Sequence, residues 1–518
     1  MADIPDTEIT YDEFPYPSMT IPDTHPDSMA AVARFHGLET APPGKCRLLE
    51  LGCGNGSNLN WIASTLPDSR FIGIDLSRNH IIEAEKTLSK LGLDNTIFDQ
   101  RNVLEIDEHS YGTFDYIIAH GLFSWVPEVV ADKILELFGK LLNPNGIGYI
   151  SYNTLPGFHL RSILRGAMQF HTRNTSDPFK MAEDSRAFAR FLSENSSDTS
   201  PYPQVLKYEY ERMIYREDSN VYHDDLSAFN NPFYFSDFID RARKQNLQFV
   251  SEAGALACLP HDLPADVLQV IANHSDSLID SEQYVDLIKG TRFRKTLLCR
   301  SEIALDHEFK PDIVKRFFIS SVLRPDSGVT ETKKGKPGKF TTDGGSSFET
   351  DHMLTKAFLN CFETSKSHEI AFEELIGSAQ DELDQAGFSV DAADEEIEST
   401  ISILIQLYSN GLIRFHVCKS AAVNFIPEKP MVSDLSRIQA RKGERIPTFQ
   451  GANLVLSDEF TKALFDLLNG ERTIAALNSE LFEMFYDEKE GDKEAFAVNI
   501  AERLDEALGR MARVGLLC

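Results

Sequence analysis

The run Leu48-Leu-Glu-Leu-Gly-Cys-Gly-Asn-Gly56 and the run Arg70-Phe-Ile-Gly-Ile-Asp75 hold the residues best suited to chemistry. Glycines at 52, 54 and 56, straight after an apolar strand, let the backbone bend sharply and approach a ligand where side chains would fill the space. A helix opening near Ser57 would aim its free N–H groups back at the turn, a setting for a carboxylate or phosphate. Asp75 closes the next buried strand, about where a ribose-binding acid belongs. It could instead cap the following helix, but Ser77 is better placed for that. The pattern is that of a nucleotide-like cofactor site. A dinucleotide fingerprint needs glycine where Ser57 stands, so NAD is disfavoured.

Gly-x-Gly-x-Gly with Glu50 two residues ahead resembles motif I of class I methyltransferases. That resemblance implies S-adenosylmethionine as cofactor and S-adenosylhomocysteine as product. Glu50 would face the cofactor's amino group and Asp75 would take both ribose hydroxyls. Gly52, Cys53, Gly54, Gly56 and Asn58 would line the turn, with Leu76 beside Asp75. Where this family usually places an adenine-binding acid, the chain has Asn102, next to Val103. An amide can also meet the adenine edge. Cys53 reads as a small residue tolerated in the turn and not as a nucleophile.

Strands at 47–51, 70–75, 96–103, 114–120 and 147–152 alternate with helices at 58–66, 77–91 and 129–142, as a doubly wound sheet requires. The segment 153–157 is expected to close the sheet edge. Ligands in such sheets lie beyond the carboxyl ends of the strands, so Ala119, His120, Ser124 and Trp125 should face the cofactor. Past Gly157 helices are predicted at 160–173, 180–194, 204–213 and 235–245, then a strand-like stretch from Leu247. The lysines between Lys333 and Lys339 read as a hairpin tip joining 317–323 to 340–342. Near the C-terminus, two helices (396–407 and 501–514) each lead into a short strand, as at the end of winged-helix units. The acidic helix residues Glu373, Glu374, Asp381, Glu382 and Asp384 favour protein contact over DNA.

The 518 residues exceed what one core organises, and 42% hydrophobic content allows several. No apolar run is long enough to span a bilayer, and Met-Ala-Asp-Ile-Pro-Asp lacks the features of a secretion signal, so a cytoplasmic protein without membrane insertion is expected. Seven scattered cysteines without Cys-x-x-Cys spacing predict neither a metal nor a redox centre. A net charge of −29 argues against a nucleic-acid substrate and suits a basic partner, although it could serve solubility alone.

Three further stretches are similar to bacterial methyltransferases that carry a methyltransferase regulatory domain, the rickettsial-type outer-membrane-protein lysine methyltransferases among them. They are Tyr11-Asp-Glu-Phe-Pro-Tyr16 with Thr24-His-Pro26, His120-Gly-Leu-Phe-Ser-Trp-Val-Pro127, and Ile150-Ser-Tyr-Asn-Thr-Leu-Pro-Gly157. The resemblance implies an N-terminal arm (1–40) over the cofactor, giving Tyr11, Asp12 and Tyr16 a role there, and a Rossmann-like domain at 41–158. A helical and regulatory region (159–300), often used for dimerisation, follows, and then α+β winged-helix-like units at 301–428 and 429–518 that frame an open, acidic substrate cleft. The expected function is methylation of lysines on a bacterial protein. A small-molecule or lipid methyltransferase, and a non-catalytic cofactor-binding regulator, are the alternatives. Tyr16, His120, Trp125 and Tyr152 are the catalytic candidates, and no general base is identifiable.

Overall fold

The computed structural model describes residues 19–196, 199–254, 263–326, 328–333, 335–388, 394–486 and 493–518. After helix α1 (Pro26–Phe35) the first unit runs β1 (Arg47–Leu51), α2 (Ser57–Thr65), β2 (Arg70–Asp75), α3 (Arg78–Leu91), β3 (Thr96–Gln100), β4 (Phe114–Ala119), α4 (Glu128–Leu141) and β5 (Leu142–Asn153). Helices α5 (Phe158–Thr172), α6 (Pro178–Asn195), α7 (Tyr202–Met213), α8 (Asp218–Asp225) and α9 (Phe235–Arg243) follow. Then come β6 (Leu247–Glu252), α10 (Ala265–His274), α11 (Leu278–Lys289) and β7 (Phe293–Arg300).

These strands form one seven-stranded sheet in the order β3-β2-β1-β4-β5-β7-β6, with β7 alone antiparallel to its neighbours. The sheet therefore does not end after β5, as the sequence suggested: β7 pairs along β5 from Gly148 to Asn153, and two strands from the 159–300 stretch complete the sheet. β3 also stops at Gln100, short of Val103, because Asn102 caps a 3-10 turn over Val103–Glu105. Helix α3 begins and ends as its sequence dictates: the Ser77 side chain accepts the His80 N–H and Gly92 closes the last turn in the left-handed region.

Strand alternation divides the buried side chains between two faces. Leu48, Ile118, Ile147 and Tyr149 share a core with α1 and α2, while Leu49, Ile117, Ile150 and Tyr152 share another with α4 and α9. Helices α5 to α8 enclose a small core of their own around Leu164, Met168 and Leu206.

The remaining chain runs β8 (Phe318–Ser321), β9 (Arg324–Pro325), β10 (Gly338–Thr341), β11 (Ser347–Thr350), α12 (Met353–Thr364), β12 (Ile370–Ala371), α13 (Phe372–Gln385), α14 (Asp394–Ser409) and β13 (Ile413–His416). The last stretch holds α15 (Asp434–Lys442), β14 (Ile446–Pro447), β15 (Asn453–Leu454), α16 (Glu459–Leu467), α17 (Ile474–Phe485) and α18 (Lys493–Arg513). The pairing expected of 317–323 is corrected here. β8 lies between β12 and β13, and β10 pairs instead with β9 and β11, so the lysine-bearing stretch joins β9 to β10. Residues from β8 to β13 share the core of α1 and α2, whereas 432–517 close around a separate one. Among the described residues no helix is long and apolar enough to cross a membrane.

Residues 19–35 fasten these parts together. Asp27 Oδ2 lies 2.8 Å from His416 Nδ1, and its Oδ1 accepts the Val417 and Cys418 amides at 2.7 and 3.1 Å. The Trp61 indole on α2 donates to the Thr448 carbonyl at 3.0 Å. Truncating Asp27 strands a buried histidine and two amides, so Asp27→Ala is expected to cost on the order of 3 kcal/mol. Urea unfolding of the full chain measures this; an unchanged midpoint would exclude the clamp.

Candidate active site

The turn after β1 is built as its glycines require. Gly52, Gly54 and Gly56 all have positive φ, at 72°, 54° and 72°. They differ in what surrounds them. A Cβ on Gly54 would meet open space, whereas one on Gly56 would sit 2.7 Å from Ala84 Cβ and 2.8 Å from the Phe98 ring. Gly56 thus serves packing of the turn against α3 and β3, the role that the dinucleotide pattern gives to a glycine one position later. Gly54 leaves the cradle open. Its N–H donates to Asp75 Oδ2 at 2.9 Å, and the Ser77 N–H donates to Asp75 Oδ1 at 2.9 Å. Those bonds fix the carboxylate at the end of β2, where His80 Nδ1 also lies 3.4 Å from Oδ1. Leu76, 41% exposed, stands beside it.

Glu50 is almost fully buried on the α1 and α2 side of the sheet. Asn58 Nδ2 donates to Glu50 Oε1 at 2.8 Å, but Glu50 Oε2 is buried without a hydrogen-bond partner. Burial pushes the carboxyl up to about 7, against the Asn58 bond and helped by the Asp75 charge. An orphaned carboxyl oxygen at the lip of an open glycine turn fits a cationic donor such as an amino-acid ammonium group. Asn58, expected at the cofactor, is bonded within the protein. Besides Glu50, its Nδ2 donates to Thr24 Oγ1 at 3.0 Å, and its Oδ1 accepts the Ile21 N–H at 2.9 Å. Cys53 is buried and its thiol is held far above the ordinary value by burial, so it is inert.

Beyond β4, His120 and Trp125 line a cleft of ≈ 350 Å³ that reaches toward α5, α7 and α8. His120 Nδ1 lies 2.9 Å from the Tyr149 hydroxyl. Burial, helped by the Lys295 charge, pushes the His120 imidazole down to about 4, so it is neutral at pH 7. Lys295 itself pairs with Asp23. Ser124 is occupied structurally: its Oγ accepts the Asn153 N–H at 2.9 Å and its carbonyl accepts the Asn231 N–H at 2.7 Å. The Ala119 side chain points into the core on the α4 face, leaving its backbone toward the site. Asn102 Oδ1 accepts the Leu104 N–H at 3.0 Å, and Val103 packs against that same core.

Tyr152 does not reach the cleft. It is fully buried, stacked on Phe238 with ring centroids 4.1 Å apart, its hydroxyl 3.1 Å from Thr296 Oγ1. The period-two alternation of β5 explains the correction: Tyr149, three residues earlier, takes the site-facing side. That alternation is the sequence signal that could have singled out Tyr149. Tyr11, Asp12 and Tyr16 lie outside the described residues. Five arginines line this cleft against Glu209, Asp224 and Asp225.

Comparisons with known proteins bear on the fold and family. Residues 43–207 match the model of a methyltransferase domain, and 217–300 match that of a predicted methyltransferase regulatory domain. The uncharacterized protein RP789 of Rickettsia prowazekii is 31% identical over 437 residues, 83% of this chain and 78% of that one. PKMT2 from Rickettsia typhi superposes with a TM-score of 0.87 at 27% identity, covering 97% of this chain and all of that one. Its complex with AdoHcy superposes with a TM-score of 0.85 over the same shares. On these matches the chain belongs to the class I S-adenosylmethionine-dependent methyltransferases that carry a regulatory domain, and is related to rickettsial PKMT2.

Proposed function

We propose that the protein methylates lysine side chains of a protein substrate in the cytoplasm, bacterial outer-membrane proteins being the substrate class. The likeness to PKMT2 along 97% of the chain is the observation that carries the lysine assignment. Bound S-adenosylmethionine supplies an electrophilic methyl group and a neutral thioether leaving group. Glu50 Oε2 takes its ammonium group, Gly54 leaves room for the backbone approach, and Asp75 takes the ribose hydroxyls. Leu76 and the free Nδ2 of Asn102 border the adenine. His120, Trp125 and Tyr149 shape the entry for the acceptor nitrogen. Positioning of this kind does most of the work in a direct displacement.

A lysine must arrive as the neutral amine, which from a pKa of about 10.4 costs on the order of 4 to 5 kcal/mol at neutral pH. The cleft supports that step. Trp125 and Phe293 offer apolar surface, and the arginines that outnumber the cleft's carboxylates disfavour a second cation, so both lower the amine's proton affinity. A neutral His120 adds no charge. Phe170, Phe179 and Phe191, each more than half exposed on α5 and α6, support a homodimer through the helical unit.

Two outcomes test this reading. Only ionised Glu50 attracts the cofactor's ammonium group, so affinity must rise as pH climbs through about 7. Calorimetric titration with S-adenosylhomocysteine should give a Kd about tenfold weaker at pH 6 than at pH 8. Glu50→Gln should weaken binding and flatten the dependence, and a wild-type Kd indifferent to pH would exclude the assignment. Incubation with labelled S-adenosylmethionine and a surface-protein fragment should place methyl groups on lysine nitrogens by mass spectrometry. Label confined to small acceptors, or tight cofactor binding without transfer, would contradict the lysine reading.

A further inference from the structure

The far wall of the cleft carries more positive charge than its own acids neutralise. Arg161 pairs with Asp225 at 2.7 Å and with Asp224 at 3.5 Å, and Arg216 meets both aspartates. Arg292 pairs with Glu209 at 2.6 Å. These three arginines are thereby matched by three carboxylates, and their network forms a fixed wall. Arg165 and Arg212 are not matched. Arg165 reaches only the Gln169 amide oxygen, at 3.2 Å, and the Ser227 carbonyl; its Nε is buried without a partner. Burial pushes its guanidinium down from the ordinary arginine value: Asp225, whose charge opposes this, is already bound by Arg161 and Arg216 and offsets the lost water only in part. Arg212 lies over the Tyr208 ring at 5.6 Å and is left for solvent or a ligand.

Two unmatched guanidinium groups in one cleft with His120 and Trp125 form an anion site next to the place where the acceptor nitrogen enters. Planar N–H forks fit a carboxylate in particular. In a chain of net charge −29, a local surplus of two positive charges is not a general property of the surface. We infer that the cleft binds the carboxylate side chain of an acidic residue flanking the acceptor lysine, with Arg165 and Arg212 as the specificity-determining groups. The inference rests on the lysine reading above. The arrangement reconciles a cationic cleft with a cationic substrate: the flanking acid supplies the attraction, and the arginines still disfavour the protonated amine.

Peptide sets differing only beside the lysine, with glutamate, glutamine or lysine at the neighbouring positions, test this on the full-length protein. The kcat/KM for the glutamate peptides should exceed that for the glutamine peptides about tenfold, the scale of one charge-assisted contact. That ratio should fall below about twofold in the doubly substituted R165Q/R212Q protein, and in the wild type it should shrink with added salt. Equal rates for all flanks in the wild type, or an acid preference that survives both substitutions, would overturn the inference. Calorimetric binding of the same peptides to the protein loaded with S-adenosylhomocysteine separates the two readings. Tighter binding of glutamate peptides without lysine methylation would defeat the lysine assignment alone, and lysine methylation blind to the flank would defeat the arginine site alone. Because Arg212 is exposed, R212Q by itself keeps the test valid if loss of Arg165 disturbs folding; it should lower the ratio partway.

Discussion

A carboxyl group stripped of water, with one oxygen satisfied and the other bare, is the constraint from which the rest of the site follows. Glu50 holds this position because Asn58 can offer it only one N–H; the second belongs to Thr24, and the Asn58 oxygen belongs to Ile21. Thr20, next to Ile21, is in turn held from outside the Rossmann-like unit. Thr20 donates to the Gly451 carbonyl at 2.9 Å and exchanges bonds with Asn453, while α2 is gripped through Trp61 by Thr448. The C-terminal unit therefore braces the segment beside Glu50, whose Oε2 is left without a partner. An unsatisfied buried acceptor is costly unless a ligand meets it. In the role proposed for Glu50, that cost is converted into affinity when an ammonium group arrives.

The second half of the site runs on the opposite sign of charge. Negative charge dominates the chain as a whole, yet the walls beyond His120 are lined by arginines, with Lys295 close by. A uniformly acidic cleft would hold a lysine tightly as its ammonium ion and so oppose the proton loss that alkylation requires. Long-range attraction by the acidic surface and local discouragement of the protonated form can coexist, because screening separates the two length scales.

Much of the fold is legible in the residues because local signals and tertiary demands coincide. The predicted helix 77–91 coincides with α3, which Ser77 and Gly92 bracket, and the Gly-x-Gly-x-Gly turn falls where strand gives way to helix. What escapes has identifiable physical causes. The β7 segment Phe293-Arg-Lys-Thr-Leu-Leu-Cys-Arg300 carries charges that mask its strand character, and one of them, Arg294, is buried on Glu252, Glu282 and Asp286 at 2.8, 3.0 and 2.9 Å. Prolines and acids near the N-terminus suggest an irregular arm, although residues 26–35 form a helix that the core needs, capped by the His25 side chain. Tyr152 and Tyr149 are separated only by the face on which a single strand places them, a distinction that a motif match does not carry. The motif points Gly56 toward the ligand, but the crowding by Ala84 and Phe98, distant in sequence, that also demands a glycine there is not legible locally.

The central claim is that Glu50 waits, half protonated, for a cationic partner. Infrared difference titration of the Glu50 carboxyl, identified by its loss in Glu50→Gln, reads this directly. The account predicts a carboxyl that titrates near pH 7 in the free protein and moves to markedly lower pH once S-adenosylhomocysteine is bound. A carboxyl already ionised at pH 5 without ligand, or one whose titration the ligand leaves in place, would contradict it.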